Sequence, residues 1–75
     1  MPLTYKLAIK IAGDAWFICD HQVGSHQQFK RWKDVVTIPR KKEISIGTAR
    51  AIIKRIAISL NVPFETLIKK YDINF

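Results

Sequence analysis

The tripeptide Gly24-Ser25-His26 stands directly before the basic part of the chain and is the segment best suited to chemistry. Imidazole changes its protonation state near neutral pH without special tuning, so an exposed His26 can act as a general acid or base. RNA is the natural substrate for such a group, because its 2′-hydroxyl supplies an internal nucleophile. His26 would remove the 2′-hydroxyl proton or protonate the leaving 5′-oxygen, while nearby cations offset the charge that builds on the phosphate.

The positive charge of the chain is concentrated in its middle third. Residues 30–55 contain nine basic and two acidic side chains, which accounts for the whole formal net charge of +7, since the two kinds balance elsewhere. A segregated basic surface is expected of a protein that binds a polyanion, and such binding weakens as salt is added. The side chains predicted to bind RNA are Lys30, Arg31, Lys33, Arg40, Lys41, Lys42, Arg50 and Lys54.

Other kinds of catalytic site find little support in the sequence. The six acidic side chains are scattered, and the single cysteine and two histidines lack the spacing of metal ligands. No glycine-rich phosphate loop precedes a predicted helix. We therefore predict no metal and no cofactor. His21 falls in a turn signal without patterned neighbours, and we interpret it as an ordinary surface histidine.

The length of 75 residues predicts one domain, residues 1–75, near the lower size limit for a folded core. A domain this small has little room for a deep pocket, so a reactive group is expected near the surface. The lone Cys19 is predicted to be buried in a strand, and its lack of a partner favours a reducing compartment. No apolar run is long enough to cross a membrane, and the N-terminus lacks the features of a secretory signal. A cytoplasmic protein is expected.

The pattern along the chain predicts α-β-β-β-α with a short extra helix. The predicted elements are a helix over residues 3–13, strands over 16–19, 25–31 and 35–38, a long helix with Thr48 as its N-cap, and a final helix over 64–71. Gly13 ends the first helix, residues 20–22 form a turn, and Pro39 ends the third strand or confines it to an edge.

Alternation along the second strand decides where His26 points. Successive side chains of a strand face opposite ways, so a core position for Phe29 places His26 towards solvent. Gly24 supplies a positive φ angle or a bulge where the chain re-enters the sheet. The fold class is therefore α+β, a three-stranded antiparallel sheet covered on one face by helices, which resembles the double-stranded-RNA-binding fold.

From about residue 5 to residue 57 the sequence resembles a HicA-type toxin, an mRNA interferase of bacterial toxin–antitoxin systems. The resemblance rests on an aromatic strand before Gly24-Ser25-His26, on Phe29, and on Val36-Thr37-Ile38-Pro39 followed by Glu43-Ile44 and Gly47-Thr48. It implies a fold like that of double-stranded-RNA-binding domains, cleavage of mRNA through His26, and neutralisation by a HicB-type antitoxin that covers the active site. Gly24 and Ser25 would shape the entry to the strand that carries His26. We expect a monomer when the toxin is free.

The sequence departs from the family pattern in three places. Trp16 stands where the family usually has glycine, and Arg40-Lys41 replaces a frequent second histidine. His26 is therefore expected to act with lysine or arginine as its electrostatic helper. The segment 59–75 is longer and more apolar than the common ending, so it would extend the core or contact a partner.

Three other functions fit parts of the same sequence. Residues 55–71 resemble a helix-turn-helix that could enter a DNA groove, although the basic charge lies upstream of its second helix. A double-stranded-RNA module without catalysis would use the same basic surface and give His26 no special role. A structural interaction domain would leave the basic face solvated. Loss of RNA cleavage in a His26→Ala variant that still folds would separate the nuclease from all three.

Overall fold

A computed structural model describes residues 2–75 of the chain. Its elements in order are α1 (Tyr5–Asp14), β1 (Ile18–Val23), β2 (His26–Arg31), β3 (Asp34–Pro39), α2 (Ile46–Leu60) and α3 (Phe64–Tyr71). The predicted α+β class, with a three-stranded antiparallel sheet and a short C-terminal helix, is confirmed.

The sheet is an antiparallel meander with β2 at its centre. β2 and β3 pair in an unbroken register from His26 opposite Pro39 to Arg31 opposite Asp34. β1 pairs with β2 through a bulge between Cys19 and His21. Gly24, in the turn between β1 and β2, has a φ of 57°, which confirms the predicted positive angle.

Helices cover one face of the sheet. On that face the strand neighbours Phe29 and Val36 are buried, together with Ile38. They belong to one apolar cluster with Ile11 of α1 and Ile53 of α2. Because side chains alternate along a strand, the opposite side of β2 carries His26, Gln28 and Lys30, all exposed. The expectation that Phe29 is buried and His26 faces solvent is confirmed.

We call the side of the sheet away from the helices the open face. Residues opposite one another in an antiparallel pair share a face. The open face therefore also carries the partners of His26, Gln28 and Lys30 in the neighbouring strands. These partners are Val23, His21 and Ile18 in β1, and Pro39, Thr37 and Val35 in β3.

Three expectations about the first strand are wrong in detail. β1 begins at Ile18 and continues to Val23, so Asp20, His21 and Gln22 belong to the strand and not to a turn. Every residue of β1 is exposed, which means that pairing with β2 and not burial forms this strand. Cys19 is exposed as well, contrary to the predicted burial.

The helix ends differ slightly from those predicted. Thr4 caps α1, and its hydroxyl oxygen accepts a hydrogen bond from the backbone N–H of Leu7 at 3.1 Å. α1 runs one residue beyond Gly13. The N-cap of α2 is Ser45, three residues earlier than predicted, and Thr48 lies within the first turn.

The C-terminal segment packs against the rest of the fold. Leu67 and Ile73 are buried in the core, which confirms that this segment extends it. The Tyr71 hydroxyl donates a hydrogen bond to Asp14 Oδ2 at 2.6 Å and so links α3 to α1. Burial and this hydrogen bond raise the pKa of Tyr71 to about 12, and the same bond lowers the pKa of Asp14. Among residues 2–75, no helix has the length and apolar character needed to cross a membrane.

Candidate active site

His26 is the first residue of β2 and is exposed on the open face. Its side chain lines an open concavity of about 310 Å³ between the end of β3 and the start of α2. The other residues that line this concavity, which we call the His26 pocket, are Thr37, Pro39, Lys41, Ile44, Ser45 and Thr48. An exposed imidazole therefore lines the same concavity as a cation, three hydroxyl groups and a helix N-terminus.

Backbone contacts fix the position of His26. The tight turn before β2 needs the left-handed conformation of Gly24, which glycine adopts without steric cost. The carbonyl oxygen of Ser25 accepts a hydrogen bond from the backbone N–H of Arg40 at 2.6 Å. Ser25 Oγ also lies 3.5 Å from His26 Nδ1, at the outer limit of a hydrogen bond. The Gly-Ser-His turn and the basic loop after β3 are thus joined.

The basic loop is also tied to the N-terminal segment. Thr4 and Glu43 form an isolated antiparallel bridge. Beside it, the backbone N–H of Ile44 donates to the carbonyl oxygen of Leu3 at 3.0 Å. Lys41 therefore enters the His26 pocket from a loop that is held on both sides.

The N-terminus of α2 forms another wall of the His26 pocket. Ser45 makes no side-chain cap to the helix, because its Oγ donates instead to Thr48 Oγ1 at 3.1 Å. The first turn of α2 contains no acidic side chain. Uncapped amides at a helix N-terminus attract anions, and the helix dipole adds to that attraction. A phosphate group fits the chemistry of this wall.

A groove continues from the His26 pocket along the seam between β3 and α2. Thr37 and Thr48 line both the His26 pocket and a second concavity of about 440 Å³. Val35, Ala51 and Arg55 are then shared with a third concavity of about 560 Å³. We call these three concavities together the β3–α2 groove. The cations that line it are Lys41, Arg55, Lys54 and Lys33.

The eight cations predicted to bind RNA lie at four separate places on the surface. Lys33, Lys41 and Lys54 line the β3–α2 groove. Arg40 and Lys42 line a separate concavity of about 330 Å³ beside Tyr5, which Lys41 also borders. Lys30 and Arg31 lie near Trp32 at the other end of β2, and Arg50 lies over the Phe75 ring at 5.6 Å.

All three arginines of this set already have contacts within the protein, and the Arg40 guanidinium carbon lies 5.9 Å from the centre of the Tyr5 ring. Arg31 Nη1 donates to the carbonyl oxygen of Ser59 at 2.7 Å and to Ser59 Oγ at 3.0 Å, so its guanidinium is held in place. Arg50 points towards the C-terminal segment and does not line the β3–α2 groove.

Reasoning from the sequence missed two features of the site and the position of one histidine outside it. Arg55 lines the groove. The sequence placed Arg55 on the exposed side of the long helix but did not distinguish it from the other exposed cations of that helix. Ser45 and Thr48 contribute hydroxyls to the His26 pocket, which the early start of α2 brings there. His21 lies on the open face, diagonally across from His26, because β1 continues through a segment that reads as a turn.

In the described part of the chain, no three histidine, cysteine, aspartate or glutamate side chains converge to hold a metal ion.

Comparison with known protein families identifies one match. Residues 8–58 match the family described as HicA toxin of bacterial toxin–antitoxin. The chain belongs to this HicA toxin family. No curated protein and no solved structure showed significant similarity to it.

The region that matches the HicA family contains the candidate site. It runs from α1 to near the end of α2 and includes His26 and every residue that lines the β3–α2 groove. α3 and the last residues lie beyond the match. A HicA-family toxin is one half of a toxin–antitoxin pair, so the chain has an antitoxin as its partner.

Proposed function

We propose that this HicA-family toxin is an endoribonuclease that cleaves mRNA without the ribosome, with His26 as its general acid or base. The observation that carries the proposal is the His26 pocket, a concavity lined by the exposed imidazole, Lys41 and the N-terminus of α2. The imidazole can transfer a proton, and the cation and the helix amides can bind the phosphate and stabilise its charge. Gly24 and Ser25 position His26, and neither touches the reacting atoms.

In the proposed reaction, the ribose 2′-oxygen attacks the adjacent phosphorus. His26 takes the 2′-hydroxyl proton as the new 2′-O–P bond forms. The bond between phosphorus and the 5′-oxygen breaks, and that oxygen takes a proton from solvent. The products are a 2′,3′-cyclic phosphate and a 5′-hydroxyl. Lys41 and the amides of α2 stabilise the charge on the phosphate oxygens during the displacement. The reaction needs no cofactor.

We propose that the RNA backbone follows the β3–α2 groove. Lys33, Lys54 and Arg55 extend the positive lining beyond the His26 pocket, and phosphate contacts made by such side chains release counterions. Arg40 and Lys42 border the neighbouring concavity and add to the positive potential near Lys41. Arg50 stays outside this path.

The proposed antitoxin is of the HicB type and neutralises the toxin by covering the His26 pocket. The formal net charge of +7 favours an acidic surface on that partner, since complementary charge steers association. The toxin is proposed to act in the cytoplasm, where its mRNA substrate lies, and to be a monomer when free.

Expression in a bacterial host tests the proposal. The wild-type chain, His26→Ala and the matched control His21→Ala are induced side by side while growth and mRNA integrity are followed. The wild type and His21→Ala should arrest growth and degrade mRNA, and His26→Ala should do neither at equal protein levels. Growth arrest by His26→Ala with mRNA still degraded would contradict the proposed role of His26. Intact mRNA in cells that the wild type arrests would contradict the nuclease itself.

A further inference from the structure

Two tryptophan side chains are almost fully exposed. Trp16 precedes β1, and Trp32 lies in the turn between β2 and β3, with exposed fractions of 78% and 83%. Both also have positive φ angles, 70° and 55°. Bulky residues rarely adopt this conformation, which glycine or asparagine adopts at less cost. Two large aromatic rings are thus held in solvent, in an unfavourable backbone conformation, without contributing to the core.

The two rings belong to one surface cluster. Trp16 and Trp32 line a concavity of about 350 Å³ together with Ile18, Lys30 and Arg31. We call these five residues the tryptophan cluster. Lys30 stands opposite Ile18 in the sheet, so both lie on the open face. The cluster combines aromatic surface with positive charge and has no acidic member.

Contacts inside the protein hold Trp32 in place. The Arg31 guanidinium carbon lies 4.6 Å from the centre of the Trp32 ring. Arg31 is itself held by its two hydrogen bonds to Ser59, whose hydroxyl donates to Asp34 Oδ2 at 2.6 Å. One side of the indole therefore rests on a fixed guanidinium, and the exposed fraction of Trp32 shows that the other side is open. A ring held in this way loses little freedom when it binds a flat partner.

We propose that the tryptophan cluster stacks unpaired bases of single-stranded RNA. The inference rests on the proposed function, in which RNA is the substrate. Aromatic rings beside a basic groove are the usual means of binding single strands, because every base has a π face and every linkage carries a negative charge. Lys30 and Arg31 complement the phosphates of such a strand. An apolar protein surface would have to desolvate the Lys30 ammonium without giving it a partner.

The position of the cluster relates it to the active site. Lys30 lies on the same face of β2 as His26 and four residues further along the strand, about 13 Å away. RNA that stacks on the cluster therefore lies on the side of the molecule that presents the imidazole. Since only unpaired bases can stack there, the cluster selects single-stranded regions of mRNA.

Tryptophan fluorescence tests this inference directly, because Trp16 and Trp32 are the two tryptophans of the chain. A His26→Ala background keeps the RNA intact during the measurement. An oligoadenylate of about ten nucleotides should quench the emission, and a duplex of equal length should leave it nearly unchanged. Replacing either tryptophan with alanine should weaken oligoadenylate binding about fivefold or more. Replacement with phenylalanine keeps an aromatic face and should preserve most of the affinity. Circular dichroism confirms that each variant is folded.

The outcomes separate this inference from the proposed function. Suppose that the wild type cleaves RNA, that oligoadenylate does not quench the tryptophan emission, and that the alanine variants bind oligoadenylate with unchanged affinity. The stacking inference is then overturned and the nuclease remains. If the alanine variants keep their affinity for RNA and lose their affinity for the antitoxin, the cluster is a protein-binding surface and the inference is again overturned. If the wild type neither binds nor cleaves RNA, the proposed function fails as well.

Discussion

The backbone N–H of Arg40 donates a hydrogen bond to the carbonyl oxygen of Ser25, with 2.6 Å between nitrogen and oxygen. This contact joins the turn that carries the histidine motif to the loop that carries the basic residues. It sets the position of Lys41 relative to His26 through the backbone, which is stiffer than any pairing of two long side chains. A substitution that moves the turn is therefore expected to move the loop as well, and a substitution that moves the loop is expected to move the turn.

Gly24→Ala should lower both stability and RNA cleavage. Gly24 has a φ of 57°, and an added Cβ would meet no atom within 4 Å, so the cost comes from the backbone conformation alone. That cost is about 1–2 kcal/mol for an L-residue. Urea unfolding and RNA cleavage assays measure the two effects.

Two further variants control for that prediction. Gly24→Asn should recover part of the loss, because asparagine tolerates the left-handed region. Gly13→Ala adds the same methyl group in α1, also without a close neighbour, and should be neutral or stabilising. A Gly24→Ala variant as stable and active as the wild type would show that the turn does not depend on glycine.

Arg55→Ala should weaken RNA binding more than Arg50→Ala. Both arginines lie on exposed positions of α2, but Arg55 lines the β3–α2 groove and Arg50 lies over Phe75. Each lost phosphate contact should reduce the slope of log affinity against log salt by about 0.7. Titration of the His26→Ala protein with RNA at several salt concentrations measures that slope. Equal slopes for the two variants would contradict the proposal that RNA follows the β3–α2 groove.

The fold was predictable because its core follows simple periodicity. The stripe that includes Ile52, Ile53 and Ile56 marks the long helix, and all three side chains are buried. The alternation around Phe29 correctly placed His26 towards solvent. These signals are strong because burial of apolar side chains forms the elements that carry them.

β1 and the tryptophans were harder to predict. β1 is exposed along its whole length, so neither alternation nor burial marks it, and its residues 20–22 have the composition of a turn. Only pairing with β2 reveals that His21 shares a face with His26. Trp16 and Trp32 are large apolar residues of the kind expected in a core, but the turns in which they lie hold both side chains in solvent. The β3–α2 groove depends on how α2 lies beside β3, which local sequence does not specify.

Tyr71→Phe should destabilise the protein in a pH-dependent way. The lost hydrogen bond to Asp14 joins α3 to α1, so the melting temperature at pH 7 should fall by a few degrees. Because the pKa of Asp14 is lowered from 3.8 on folding, its contribution to stability is present above that value and is lost as the pH falls below it. Because the pKa of Tyr71 is raised from 10.0 to about 12, its contribution is present below pH 10 and is lost as the pH rises towards 12.

Melting curves of the wild type and Tyr71→Phe between acid and alkaline pH test both limits. The difference between the two proteins should be largest near neutral pH and shrink at either extreme. A difference that does not change with pH would mean that the contact between Tyr71 and Asp14 contributes nothing through their ionisation.

Ser25→Ala should reduce cleavage only a few-fold. The serine hydroxyl lies 3.5 Å from His26 Nδ1, and a contact of that length is weak. Its proposed role is to orient the imidazole, so the variant should change kcat and the pH profile of cleavage and leave the affinity for RNA intact. A loss as large as that of His26→Ala, at unchanged stability, would make Ser25 a reacting group.

The most direct test of the account is cleavage of a defined single-stranded RNA by purified His26→Ala and His21→Ala proteins. Both variants remove the same imidazole from an exposed position on the same face of the sheet. If His26 moves the proton, His26→Ala should cleave at least about 100-fold more slowly than the wild type. His21→Ala should remain close to the wild type, and a 2′-deoxy substitution at the cleavage site should block all three proteins. Comparable rates for His26→Ala and the wild type would contradict the account.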